Sequence, residues 1–225
     1  MLRICVATAA MLLLGVGPHQ ATAGATAPHA IARPAPTPVH TDTHPHLLIR
    51  QRGGHYAPGS LSRLPRSEAN QVCLAYNNYW CLKGTRWEGQ VRVGKQRLAV
   101  FDNGTQAARA VALTLQAYRF KHGLRTPRQV MTRYVLSAEC RKGGRATPGC
   151  ETMWQKVDRY AARIGQALGI RPDDPMGVFK ARNVVDRQRA HTLFREMAHI
   201  EVGDSVRVRE EVLDEGLRRA GIAAA

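Results

Sequence analysis

Four cysteines, Cys73, Cys81, Cys140 and Cys150, constrain this chain more than any other feature, because each can be bridged only to a partner that the fold brings within a few ångströms. Whether they are bridged depends on the compartment, and the N-terminus bears on that. Met1–Leu2–Arg3 leads into the apolar run Ile4–Val16, and Ala21–Thr22–Ala23 supplies small residues suited to cleavage. That is the form of a secretory signal peptide over residues 1–23. The run is too short for a comfortable membrane span, and no later stretch approaches the length needed to cross a bilayer. The expected product is an exported protein, periplasmic or extracellular. Cys5 would leave with the signal, so an even set remains in an oxidising compartment. Four cysteines permit three pairings. The two local ones are favoured: Cys73–Cys81 closes a loop over Tyr76–Trp80, and Cys140–Cys150 closes the loop RKGGRATPG. The other reading is a structural zinc site, for which neither C-x2-C spacing nor a close histidine pair is present.

The formal charge is +16, and loss of the signal removes only Arg3, which leaves about +15. A positive field of this size attracts polyanions. For an exported chain the expected partners are anionic envelope polymers, such as peptidoglycan carboxylates, teichoic acid or lipopolysaccharide. Nucleic acid also fits the charge, but no nucleic-acid-binding motif accompanies it.

Residues 24–66 are rich in Pro, Ala, Thr and His and show no sustained apolar period, as expected of a disordered tether. His40, His44 and His46 fall within it, but histidines in a flexible tract lack the neighbours that fix a metal site. Residues 67–225 are then enough for one hydrophobic core. QVRV and RLAVF around a glycine-containing turn signal a β-hairpin. Asp102–Asn103–Gly104 makes a turn, which is also a sufficient role for the formal glycosylation triplet Asn103–Gly104–Thr105. Thr105 can cap a helix with Ala108, Val111, Ala112, Leu115 and Tyr118 on one face, ending near Gly123.

Thr126–Pro127 opens a second helix through Val130, Met131 and Tyr134. Trp154, Val157, Ala161, Ile164 and Leu168 form a third stripe that stops at Gly169. Asp174–Pro175 opens a further, irregular helical stretch that becomes strong from Ala190, and Val206–Ala220 reads as a charged amphipathic helix with Leu213 and Leu217 inward. The expected class is mainly α within α+β, with one small hairpin.

The order Asn77–Asn78–Tyr79–Trp80–Cys81–Leu82–Lys83–Gly84, Trp87–Glu88–Gly89, a hairpin ending Ala99–Val100–Phe101–Asp102, and an alanine-rich helix ending in Tyr118 resembles the N-N-L-F-G-I-K-G and W-x-G signature of bacterial N-acetylglucosaminidase domains, members of the lysozyme-like superfamily. It resembles still more closely a phage and prophage virion-protein family that begins N-N-P-G-N-I-R. Stretches similar to that family follow in order: Lys121–His122–Gly123–Leu124–Arg125–Thr126, then Arg133 to Cys140, then Tyr160 to Met176, then His199–Ile200–Glu201–Val202–Gly203. The resemblance spans roughly residues 74–203. Departures are also plain. Tyr79–Trp80–Cys81 stands where the phage motif has Pro-Gly-Asn, Leu136 and Ser137 replace two prolines, and the segment from Glu139 to Trp154 is rebuilt around two cysteines. The helix that carries the glucosaminidase glutamate would need to precede Asn77, yet Glu68 lies only nine positions upstream.

What the resemblance implies is a lysozyme-like domain acting on peptidoglycan as a glycoside hydrolase or lytic transglycosylase, or a non-catalytic structural or peptidoglycan-binding relative of virion components. Glycosidic cleavage needs a carboxylic acid kept protonated near neutral pH, which burial achieves. Glu201 is in helical register with Ala190, Leu193, Phe194 and Met197, which puts it at the end of an apolar stripe. Glu139 matches the glutamate of the phage motif, although pairing with Arg133 or Arg141 would equally explain it. Trp80, Trp87 and Tyr134 could offer flat faces to sugar rings, and Asn77 and Asn78 amide hydrogen bonds; core packing and turn formation are their structural alternatives. No cofactor, phosphate loop or metal motif is present.

Overall fold

The computed structural model describes residues 44–61, 64 and 71–225. The expected signal peptide, with Cys5, lies outside the described residues, as do His40 and Glu68. Alanine makes the central helix. α2 (Gly104–Phe120) buries Ala107, Ala108, Ala110, Val111, Ala112 and Leu115, a face small enough for a neighbour to come close. That neighbour is α7 (Glu210–Arg219), and Gly216 is the point of approach. A Cβ there would lie 2.5 Å from the Ala108 Cβ and 2.9 Å from its carbonyl carbon, so only glycine fits. Around this pair lie α3 (Pro127–Val135), α4 (Ala138–Gly143), α5 (Glu151–Leu168) and α6 (Arg187–Val202). α3 starts on a full capping box, with Thr126 accepting from Gln129 N and the Gln129 side chain reaching back, and with Pro127 at its first position. α5 stops at Gly169 in the left-handed region (φ 67°), which glycine enters without a Cβ penalty. The stripes expected on these helices face the core: Val157, Ala161 and Ile164 from α5, and Ala190, Leu193, Phe194 and Met197 from α6. The architecture is mainly α with some β.

Three small sheets decorate the helices among the described residues. β3 (Gln90–Val93) and β4 (Ala99–Phe101) form the expected antiparallel hairpin. The other two sheets correct the sequence reading. β1 (Leu47–Arg50) pairs with β2 (Tyr56–Ala57) and with β7 (Val206–Val208), in register Leu47↔Val208 and Ile49↔Val206. The folded region therefore includes β1, about twenty residues before the boundary expected at residue 66. Leu47 and Ile49 are buried, and Leu48 and Arg50 alternate away from them, a strand period too short to stand out beside the proline-rich tract. His46 belongs to this edge of the fold and not to a tether; its backbone carbonyl accepts from Arg209 N, and burial followed by the Arg209 charge holds its imidazole below the usual range.

The same period of two overrides the helix expected from Val206. Val206 and Val208 point inward with Arg207 between them, and α7 begins only at Glu210. The helical stretch expected at Asp174–Pro175 is instead a turn and an extended segment. The Asp174 carboxylate accepts from both the backbone and the guanidinium of Arg171, then Met176 and Val178 alternate into the core. β5 (Phe179–Ala181) and β6 (Val184–Val185) follow, and β8 (Ala223–Ala224) adds parallel to β6. A last correction is local: the α2 cap is Asn103, whose side chain accepts from Gln106 N, and Thr105 lies inside the helix. Among the described residues, no helix is long and apolar enough to cross a membrane.

Candidate active site

The segment after α1 (Gln71–Ala75) is a tightly wound loop, and a disulfide between Cys73 and Cys81 closes it. A second disulfide joins Cys140 to Cys150, so both bridges follow the local scheme. Asn78 is the centre of the first loop and is fully buried. Its Nδ2 donates to the carbonyls of Leu82 and Ala99, each at 2.9 Å, and its Oδ1 accepts from Leu82 N at 2.8 Å. One side chain thus reinforces the backbone pairing between the loop and the start of β4, where Ala99 N also donates to the Leu82 carbonyl at 2.9 Å. Asn77 takes a left-handed backbone (φ 50°), a conformation asparagine tolerates, and its Nδ2 donates to the carbonyls of Phe101 and Asp102. Trp80 is also fully buried, donating its indole N–H to the Phe194 carbonyl at 2.8 Å and meeting the Phe194 ring edge-on. Sugar-contacting roles for Asn78 and Trp80 are therefore overturned: their polar atoms and ring faces are engaged inside the protein. Asn77 is half-buried and tied to the backbone in the same way.

These residues shape one wall of a cleft of about 470 Å³. Leu82, Lys83 and the Cys73–Cys81 bridge form that wall, with Trp87 beside them, its indole N–H donating to the Lys83 carbonyl at 3.0 Å. α2 contributes Tyr118, α3 contributes Tyr134, α5 contributes Lys156 and Tyr160, and the last turn of α6 contributes Glu201. Glu201 is the sole carboxylate among the described residues that line the cleft. Glu139 does not belong to it. It is exposed in the first turn of α4, where Ser137 caps the helix and Cys140 turns inward to its disulfide. The chemistry expected of Glu139 lacks the burial it would need.

Burial is the main influence on Glu201 and raises its pKa to about 7. Its place at the negative end of α6 acts in the same direction. A hydrogen bond with Tyr134, then the charges of Lys156 and Lys83, pull the other way. Glu196, on the same helix, shows the opposite balance. Burial alone would raise it, but hydrogen bonds with His199 and Arg163, the latter at 2.6 Å, hold it below the usual carboxylate range. Two carboxyl groups one and a half turns apart thus take different protonation states because one has a cationic partner in contact and the other does not.

Tyr134 links Glu201 to the disulfide loop. Its hydroxyl donates to the Trp80 carbonyl and also lies in hydrogen-bonding position to Glu201. A phenol has one proton. While that proton is on the Trp80 carbonyl, the oxygen can only accept, which suits a protonated Glu201. Once Glu201 ionises, the same proton can turn to the carboxylate. Tyr134→Phe should therefore raise the Glu201 pKa, because the hydroxyl is the largest influence favouring the carboxylate, and should lower stability by about 1 kcal/mol as the Trp80 carbonyl loses its partner. Carboxyl NMR titration reads the first effect. A midpoint that stays put or falls would show that the hydroxyl does not serve Glu201.

Of the residues expected at a site, Trp87, Tyr134 and Glu201 line this cleft together. Lys83, Lys156, Tyr118 and Tyr160 line it too and were not among those expected. Tyr118 and Tyr160 each bring a hydroxyl to a helix stripe otherwise made of apolar residues, and that is the signal that could have found them. The lysines carry no such mark in a chain this basic. No protein-family model matches the chain, and no curated protein matches it.

Proposed function

We propose that the protein cleaves the glycosidic bond of peptidoglycan strands, with Glu201 as the general acid. The observation that carries this reading is a single carboxyl group whose pKa burial raises to about 7, in a cleft with aromatic and cationic walls. The likeness of residues 74–203 to lysozyme-like domains supplies the substrate class. In the reaction, the Glu201 O–H gives its proton to the bridging oxygen as the bond from that oxygen to the anomeric carbon breaks. The leaving sugar departs with a free hydroxyl, and the anomeric carbon is left electron-poor. Glu201, now a carboxylate, takes the proton of whichever hydroxyl adds to that carbon, and so returns to its starting state. Glycosidases that activate water with a second carboxylate place it across the cleft. Here the described lining offers no such group, which favours addition of the sugar's own hydroxyl, the lytic transglycosylase outcome, over water.

A second reading has its own observation. Asn77, Asn78 and Trp80, the residues that carry the motif, hold the backbone and the core in place, as they would in a wall-binding protein that no longer turns over glycan. Release of soluble muropeptides from purified peptidoglycan separates the two. Release carrying an anhydro-sugar end is the expected result. Firm co-sedimentation with the wall and no soluble product would establish the binding role instead.

A further inference from the structure

A second pocket, of about 150 Å³, opens between α2, α3, α6 and the segment that leads into β5. It shares no lining residue with the cleft around Glu201. Its floor is core: Leu115, Val130, Met176, Val178 and Leu193 are all buried. Two arginines line it on the more exposed side, the half-buried Arg119 in the last turn of α2 and the exposed Arg125 in the loop before α3. Some arginines of this protein are matched with carboxylates, as in Arg163 with Glu196 and Asp204, Arg187 with Asp214, and Arg218 with Glu215. Neither Arg119 nor Arg125 forms an ion pair among the described residues. Arg119 is half-buried and lies over the Phe120 ring, 5.2 Å from its centroid, a contact that limits where the guanidinium can point. The Phe120 ring in turn meets Phe179, a wall of the pocket, edge to face at 5.6 Å.

We propose that this pocket binds a small amphiphilic carboxylate: one aromatic ring or short branched alkyl group on the apolar floor, with its carboxylate held by Arg119 and Arg125. Three features lead to that class. The floor has no polar side chain to satisfy, so the inserted group must be apolar. The volume matches a cavity that takes one benzene ring, which excludes the long acyl chain of a lipid. Two arginines in one lining, neither in an ion pair among the described residues, complement a single carboxylate, which accepts charge-assisted hydrogen bonds through both oxygens.

The test uses the disulfide-bonded protein, with the Met176 methyl group as an NMR reporter inside the pocket. Titration with 3-phenylpropionate should shift that signal saturably at millimolar concentration or below. Its alcohol counterpart, 3-phenylpropan-1-ol, should bind about tenfold more weakly, and acetate should not move the signal. Arg119→Gln with Arg125→Gln changes only residues on the more exposed side of the lining. It should bring the acid down to the affinity of the alcohol while leaving alcohol binding intact. Absence of a saturable shift with 3-phenylpropionate would overturn the proposal. So would equal affinity for acid and alcohol, or undiminished acid binding in the double variant. The readout does not involve Glu201 or glycan, so its outcome is independent of the reaction proposed above.

Discussion

Replacing Glu201 by Gln is expected to lower the rate of glycan cleavage by a factor of about 10²–10⁴, the usual contribution of a positioned general acid, and at the same time to make the protein more stable in alkaline buffer. The first effect follows because the amide cannot deliver a proton to the bridging oxygen. The second follows from linkage. The carboxyl titrates near 4.5 when exposed and near 7 in the folded protein, so between those pH values the native state holds a proton that the unfolded chain has released. Its contribution to stability is complete below about pH 4.5 and is lost as pH rises through about 7. At about 1.4 kcal/mol for each tenfold change in proton affinity, the loss approaches about 3 kcal/mol at pH 8. The Gln variant does not titrate. It should match the wild type near pH 4 and exceed it by up to about 3 kcal/mol at pH 8, read by denaturant unfolding at each pH. Parallel stability curves for the two proteins would remove the buried acid from the account.

The activity profile should carry the same signature. With one carboxylate in the described lining, rate should be level on the acid side of neutrality and fall about tenfold per pH unit above about 7. A bell-shaped profile would indicate a second titrating group.

Asn78→Ala is expected to cost about 2–4 kcal/mol of stability. The substitution strips the partner from the Leu82 N–H and the Asn78 amide from the Ala99 and Leu82 carbonyls, of which the Leu82 carbonyl keeps the Ala99 N–H at 2.9 Å; each buried group left unsatisfied costs about 1–3 kcal/mol. Some relief comes from water entering beside the cleft, which keeps the total below the simple sum. For a domain of this size such a loss lowers the melting temperature by about 10 °C. Leu82 and the Cys73–Cys81 bridge line the cleft, so activity should fall with stability even though Asn78 touches no substrate. A variant that melts within about 2 °C of the wild type would mean that the disulfide and the backbone hydrogen bonds hold the loop without Asn78.

The sequence by itself determined much of what depends on neighbours within about ten positions, although not the Asn103 cap or the turn at Asp174. Both disulfides close short loops. The capping box at Thr126, the glycine stop at Gly169 and the β3–β4 hairpin are likewise local, as is the register that carries Glu201 to the end of the α6 stripe. Only the tertiary structure decided which side of a loop faces the core. Nothing within Asn77–Cys81 distinguishes a tryptophan that binds sugar from one that donates its N–H to Phe194, because that partner lies 114 positions away. The pairing of β1 with β7 is hidden for the same reason: a strand of four residues becomes recognisable only beside its partner. The protonation of Glu201 belongs here too. Its helix position was legible, but a pKa near 7 requires a desolvated surrounding, and α3, α5 and the disulfide loop supply it from remote parts of the chain.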